Sequence, residues 1–379
     1  MSSFFDSGMS GLTTLAAFLF VLSVVVFFHE LGHFLVARWC GVAVKAFSIG
    51  FGKEIWGFND RYGTRWRVAW LPLGGYVKFM DDESAASTPS AEVIRNMSEE
   101  ERSGSFHLKP LWQRAAVVAA GPIANFILAI VIFAVLFSVY GLTTLEPRVG
   151  KVVPDSPAAQ AGVQPDDLIL TIGGETIESF GDLQRIVSTN PEQDLKFEVD
   201  RNGQLLSLTI RPKLTEHENA ITGKAKTPII GITSKPGAER KHREVNVVEA
   251  VGLGADRTGV IITSTLSFIV DLVRGRQSAD QLGGPIRIAD VSGQVAKFGF
   301  QPLLNFIAVI SVSIGLLNLF PIPILDGGHL MFYAIEAVRR KPLSEKAQEI
   351  GFRIGFAIVL MLMVFATFND LPILKKWAS

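Results

Sequence analysis

The chain has 379 residues, and 36 Lys plus Arg balance 36 Asp plus Glu. Zero formal net charge excludes nucleic-acid binding by bulk positive charge, and 48% hydrophobic against 19% charged residues excludes a disordered chain. With a single cysteine, Cys40, no intramolecular disulfide can form.

The ionisable residues are unevenly spread. None occurs from Ser7 to Phe28, from Ala115 to Leu145, from Phe298 to Leu325, or from Ile354 to Asn369. A bilayer core of about 30 Å takes about 20 apolar residues as a helix. The first three runs suffice outright. The fourth suffices once Arg353 snorkels and the bilayer thins locally. The expected fold is therefore an α-helical polytopic membrane protein of four transmembrane helices. The first run has no basic residues before it and no small-x-small site after it, so it reads as a retained helix and not a cleaved leader.

Basic residues beside the spans set the orientation. No Lys or Arg precedes Arg38, whereas the short loop after the third run holds Arg339, Arg340, Lys341 and Lys346. Both observations put the loop from about Phe34 to Arg114 in the cytoplasm, and both termini and the segment from about Glu146 to Lys297 outside it. Lys375 and Lys376 count mildly against this.

The cytoplasmic loop opens with β-rich stretches at Val42–Phe51, Arg65–Leu71 and Tyr76–Phe79, punctuated by glycines, which predict a small membrane-associated β element. Asp81 to Ser105 reads as a polar, mobile stretch. In the outer segment, Val149–Gly162 and Pro165–Ile177 alternate short apolar stretches with Pro, Gly and Asp turns. Ser156-Pro157-Ala158-Ala159 starts a short helix, and Arg201-Asn202-Gly203 joins two alternating strands as a hairpin. This pattern resembles one PDZ domain at 146–213, with Asp166 where glycine is usual. The rest of the segment, 214–297, reads as linker and amphipathic helices, with a strand at Pro228–Thr233. The uncharged stretch Gly259–Val270 is too short to span and is expected to lie on the membrane surface. Gly284-Pro285 opens a further amphipathic helix.

Residues 1–145 would thus hold two spans, and 298–379 the last two. At the end of the first span stands His29-Glu30-Leu31-Gly32-His33. Histidines four apart share one helix face and can bind one zinc at about 2.0–2.1 Å each. Glu30 is placed to act as general base on water, as in the H-E-x-x-H pattern. Three ionisable residues at a span end each cost up to about 2.5–3.5 kcal/mol on insertion scales, so they require compensation. A catalytic zinc has a third protein ligand. The third charge-free run ends Asn318-Leu-Phe-Pro321-Ile-Pro323-Ile-Leu-Asp326-Gly-Gly-His329, where the prolines break the helix. Asp326 is the expected third ligand, with His329 as its rival. His107, His217 and His242 lie in polar loops and read as solvated. Asn125 and Gly121 in the second span read first as helix-packing residues, with an indirect role in shaping the site.

Together these two motifs resemble the site-2 proteases, which are zinc intramembrane proteases, and most nearly the branch of the bacterial regulator of sigma-E protease. Gly121-Pro122-Ile-Ala-Asn125, Gly74-Gly75-Tyr76, Leu282-Gly-Gly-Pro285 and Phe368-Asn369-Asp370 extend the resemblance to nearly the whole chain. One PDZ-like unit stands here where the best-known member of the branch has two. The resemblance implies Zn2+ held by His29, His33 and Asp326, Glu30 as catalytic acid/base, and Asn318, Pro321 and Pro323 as substrate-holding residues. It further implies the bacterial inner membrane, and single-span substrates such as anti-sigma factors or remnant signal peptides, with membrane lipid and no nucleic acid as further partners. A substrate helix must open before hydrolysis, and strand addition to the β element is the expected way to satisfy its backbone. The competing readings are a non-proteolytic scaffold or chaperone working through the PDZ-like unit, and a metal transporter. Glu30 beside a complete ligand set speaks against both.

Overall fold

A computed structural model of the chain describes residues 2–81, 97–219, 223–235, 240–275 and 277–378. In chain order, helix α1 (Ser2–Trp39) is followed by strands β1 (Val44–Asn59) and β2 (Arg65–Phe79), the short helix α2 (Glu99–Gly104) and helix α3 (Leu111–Tyr140). Next come β3 (Leu142–Leu145), β4 (Val149–Val152), α4 (Pro157–Gln160), β5 (Leu168–Ile172), β6 (Glu175–Thr176) and α5 (Phe180–Thr189). Strands β7 (Leu195–Arg201), β8 (Gln204–Ile210), β9 (Lys213–Asn219), β10 (Gly223–Ile229), β11 (Ile232–Ser234) and β12 (Arg240–Arg243) follow. The chain ends in helices α6 (Val247–Val273), α7 (Pro285–Lys297), α8 (Phe300–Asn318), α9 (Asp326–Arg339) and α10 (Glu345–Ala378). Two compact units result, one of Met1–Val135, Val251–Ser267 and Leu282–Ser379, the other of Leu136–Ala250 and Phe268–Gln281.

In the first unit, α1 packs Val21 and Val25 against Ile307 of α8. Its C-terminal half shares a second core with the β element and α3, through Phe34, Ala37, Phe47, Phe79, Val117 and Val118. The β element is more folded than its two strands suggest. Ala46–Ile49 runs beside both Gly75–Lys78 and Arg65–Val68, and Glu54–Asn59 pairs back onto Arg65–Ala69. Gly75–Phe79 thereby becomes an outer strand, paired on one side only among the described residues. Arg38, just beyond the histidines on α1, ties the far turn of this sheet down. Its guanidinium bonds Asp60 at 2.6 Å and Thr64 at 2.8 Å, and lies over the Tyr62 ring.

Among the described residues five helices, not four, are long and apolar enough to cross a membrane: Gly11–Trp39, Leu111–Tyr140, Val247–Val273, Phe300–Asn318 and Lys346–Ile373. The chain is a multi-pass membrane protein. The addition is α6, of 27 residues, in which the uncharged Gly259–Val270 is only one part. Asn246 caps it by accepting from the Glu249 N–H. Glu249, Asp256, Arg257 and Asp271 end the charge-free run without ending the helix, because charged residues are ordinary helix formers. The third charge-free run is interrupted as expected: α8 stops at Asn318 and α9 starts at Asp326.

The stretch from Asp81 to Ser105 is anchored at both ends. Asp81 is buried and accepts from Ser105 Oγ at 2.5 Å and the His107 N–H at 3.0 Å. The middle of the stretch, 82–96, lies outside the described residues.

The second unit contains a four-stranded sheet in the order β6-β5-β7-β8, with the hairpin at Asn202-Gly203 formed between Arg201 and Gln204. Its core is Val149, Ile169, Ile172, Leu183, Phe197, Val199, Ile210 and Ile230 with their neighbours. The boundary expected at 213 is too early. Most of the segment from 213 to 243, taken as linker, is strand: β9 pairs β10, β11 pairs β4, and β12 pairs β3. β9 and β10 form a local hairpin of polar residues, and β11 and β12 have partners distant in sequence, so local composition hid them. Asp166 has φ +72°, a left-handed conformation that favours glycine and that Asp tolerates better than most residues. Its carboxylate pairs with Lys235.

Phe368-Asn369-Asp370 turns out to hold two helices together. The fully buried Asp370 carboxylate accepts from the Gly284 N–H at 3.0 Å and the Arg287 N–H at 2.9 Å, closing the first turn of α7, and faces the Arg287 guanidinium. Asn369 donates to the Leu282 carbonyl at 3.1 Å. Asp370→Leu therefore takes the acceptor from those two amides and removes the buried carboxylate that faces the Arg287 guanidinium. We expect it to cost about 3–5 kcal/mol, read as a lowered thermal unfolding midpoint of the detergent-solubilised chain, while Asp370→Asn loses less.

Candidate metal centre

α1 and α3 approach closely because each carries a glycine at the crossing. A Cβ at Gly32 would press on the Ala120 carbonyl and lie 2.6 Å from the Ala124 methyl, and one at Gly121 would fall on the His33 imidazole. His33 therefore rests directly on α3. Its Nδ1 donates to the Val117 carbonyl at 2.8 Å, which leaves Nε2 as the free lone pair. One turn back on α1, His29 presents its Nε2 beside that of His33, at 3.2 Å.

Asp326 meets them from α9. Its Oδ2 lies 3.2 Å from His29 Nε2 and its Oδ1 3.6 Å from His33 Nε2. Tetrahedral zinc with bonds of about 2.0–2.2 Å needs donor atoms about 3.3–3.6 Å apart. The three separations, 3.2–3.6 Å, lie at or just under that spacing, and Asp326 Oδ2 is a buried oxygen with no hydrogen-bond partner among the described residues. Among the described residues this is the one group of three His, Cys, Asp or Glu side chains with donor atoms within 4.8 Å of one another. His329, the rival, lies in the same cavity wall with its ring 5.3 Å from that of Phe352, and is not in the group.

The backbone around Asp326 is made by the helix break. Pro321 and Pro323 cannot continue α8, and Ile324 takes φ +99°, rare for a β-branched residue. Leu325 N–H returns to the Ile322 carbonyl at 3.0 Å. Gly327 and Gly328 then lie so near the carbonyls of Leu319, Phe320 and Ile322 that no side chain would fit. Asp326 is thus carried in on a tight, strained turn, a conformation that costs on the order of 1–3 kcal/mol.

Glu30 points into the same space. It interacts electrostatically with both histidines and Asp326, and its carboxylate is hydrogen-bonded by the Val77 backbone on the outer β strand. A Cβ on Gly75 would come within 2.8 Å of Glu30 Cγ, so glycine there lets the strand lie against the glutamate. An open cavity of about 1230 Å³ joins these groups. Its wall includes His29, Glu30, His33, Asp326, Gly75–Val77 and Asn318. Pro321 and Pro323 are not part of that wall; they shape the turn. His107, expected in a solvated loop, is part of it, whereas the side chain of His217 lies outside the described residues.

Asn125 is nearer the centre than its packing role suggested: its amide is 3.3 Å from His29 Nδ1. The signal was present in the spacing. Asn125 is one turn beyond Gly121, as His29 is one turn before His33, so two antiparallel helices crossing at that glycine place the two opposite each other.

The profile described as peptidase family M50 matches residues 17–362. The chain belongs to this family, the site-2 proteases. A relative from Rhizobium meliloti (strain 1021), whose name carries an inferred zinc metalloprotease assignment, is 52% identical over 94% of this chain and 96% of its own length. Metalloprotease MmpA of Caulobacter vibrioides is 41% identical over 95% of this chain and 96% of its own. Among solved structures, the PDZ domain of the SdrC-like protein from Listeria monocytogenes is 24% identical and covers 23% of this chain and 84% of its own, at a TM-score of 0.20. That score carries no argument about fold.

In this M50 chain Gly121→Ala pushes a methyl into His33. We expect zinc affinity to fall by at least about tenfold, measured by chelator competition. Gly252→Ala, where nothing lies within 4 Å of the added carbon, leaves affinity unchanged.

Proposed function

We propose that this zinc metalloprotease hydrolyses peptide bonds within the transmembrane segments of single-span proteins, of the anti-sigma-factor type after trimming outside the membrane, with remnant signal peptides as a second group. The observation that carries this reading is the position of the donor cluster. His29 and His33 lie within the apolar helix Gly11–Trp39, and Asp326 lies just past the break at the end of Phe300–Asn318. A soluble substrate has no reason to be met there.

His29, His33 and Asp326 would hold the zinc, which when bound supplies Lewis acidity to water and to the scissile carbonyl. Glu30 takes the proton of the attacking water as its oxygen adds to the carbonyl carbon. It delivers that proton to the amine as the C–N bond breaks. The outer strand Gly75–Phe79 offers its free side to the unwound substrate, which in lipid has no other source of backbone hydrogen bonds. Asn318 offers its side-chain amide from the opposite wall.

The exposed aromatic and aliphatic side chains of this region, among them Trp39 at 83%, Trp70 at 71% and Trp112 at 65% exposure, suit the headgroup level of a bilayer. The basic loop after α9 favours its cytoplasmic side, and with it the bacterial inner membrane with the PDZ-like unit in the periplasm. In this reading α1, α3, α8 and α10 cross the bilayer. α6 carries Asp256 and Arg257 exposed in its first half, and lies at the surface.

Cleavage of a model transmembrane substrate by the purified chain in detergent tests the assignment. Glu30→Gln is expected to keep zinc and lose cleavage by at least about 100-fold; full activity in that variant removes Glu30 from the mechanism. Asp326→Asn loses metal and activity together, and His329→Ala retains metal. The reverse pattern would make His329 the third ligand. For strand addition, proline substitutions along Gly75–Phe79 other than at Val77, whose backbone bonds Glu30, slow cleavage with zinc retained, because each one on the free side deletes an N–H that the substrate would use. An unchanged rate rejects the strand.

A further inference from the structure

The two histidines face α3 in the same way but meet different acceptors. His33 Nδ1 has a backbone carbonyl, that of Val117, at 2.8 Å. His29 Nδ1 has only the side chain of Asn125, at 3.3 Å. Asn125 is fully buried, and its Oδ1 has no hydrogen-bond partner. A buried polar group in that position is costly unless something uses it.

Asn125 is also held through its main-chain carbonyl from the far side. Ser311 on α8 donates to the Asn125 carbonyl at 2.8 Å, and Gly315, one turn on, lets α8 approach to where an added Cβ would lie 3.1 Å from Asn125 Cβ. Asn125 thus sits between His29 on α1 and the helix that leads into the Asp326 turn. Helix packing alone needs a small residue here, not an amide aimed at an imidazole.

The chemistry of the ring completes the argument. A neutral imidazole that gives its Nε2 lone pair to a metal carries its proton on Nδ1, and that N–H requires an acceptor. An asparagine amide can serve Nδ1 in either tautomer: Nδ2 donates to a bare nitrogen, and after a half-turn Oδ1 accepts from N–H. We infer that Asn125 is the positioning residue of the first histidine ligand, its amide oxygen accepting from His29 Nδ1–H so that Nε2 is aimed at the metal beside His33 and Asp326. This rests on the zinc assignment above and adds a residue to it.

The test uses the full chain in detergent with Asn125→Asp, Asn125→Ala and Asn125→Leu. Zinc affinity is measured by chelator competition, and the visible spectrum of the cobalt(II)-substituted protein reports ligand geometry. Asp retains an acceptor, Leu retains approximate volume, and Ala retains neither. We expect Leu and Ala to lose about 10–100-fold in zinc affinity, the usual loss when a ligand's hydrogen-bond partner is removed, and to alter the cobalt spectrum. Asp should keep the native spectrum and at least tenfold more affinity than Ala. Native affinity in Leu, or a loss in Asp equal to that in Ala, overturns the inference. If Leu unfolds in detergent, the Asp and Ala pair decides by the same tenfold criterion. Asp326→Asn is measured alongside. If that variant binds zinc as tightly as the native chain, the ligand assignment fails; if it loses zinc while all three Asn125 variants keep it, Asn125 alone is at fault.

Discussion

The close crossing of α1 and α3 is the constraint on which the site depends. Gly32 and Gly121 remove the two side chains that would hold the helices apart. With them gone, an imidazole lies flat on the neighbouring helix, its Nδ1 takes a main-chain carbonyl, and its Nε2 has one direction left. The same contact brings Asn125 opposite His29. Helix association in lipid gains little from the hydrophobic effect, so small residues and buried hydrogen bonds do much of the work. Here those packing devices also aim the histidines.

The second requirement is a carboxylate delivered from another element at the same depth. A continuous helix would present Asp326 on its own face and satisfy its backbone internally. Interrupting it exposes carbonyls and amides that lipid cannot satisfy. The chain answers with a turn closed by its own hydrogen bonds, and with glycines that let α9 pack back on the end of α8. The positive φ at Ile324 is the local cost of that turn. The turn and Asn318 line the same cavity, so one irregular segment brings both the Asp326 carboxylate and the Asn318 side chain to it.

The β element solves the complementary problem from the opposite wall. Its sheet is bound to α1 twice: at the far turn through Arg38, Asp60 and Thr64, and near the glutamate through Gly75 and Val77. The unpaired side of its outer strand is thereby held facing Glu30. An open strand edge is usually a hazard in solution; here it lines the cavity that holds Glu30 and the donor group.

Periodicity and charge already determined much of this protein. Lipid does not tolerate unpaired charge, so the spans and their ionisable exceptions stand out in composition, and an i, i+4 pair of histidines needs only helical geometry to share a face. Asp326 was legible because prolines mark where a helix must stop. What remained hidden was what depends on distant partners. Strands β9 and β10 are a polar hairpin, and β11 and β12 pair across long separations, so their segment resembled linker. α6 was underestimated because its charges interrupt a hydropathy run without interrupting hydrogen bonding. Asn125 read first as a packing residue, and nothing along the chain showed which helix Asp370 meets. A residue's pattern along the chain shows which face it occupies; only the tertiary structure decides what stands opposite, and for buried polar groups the partner determines the role.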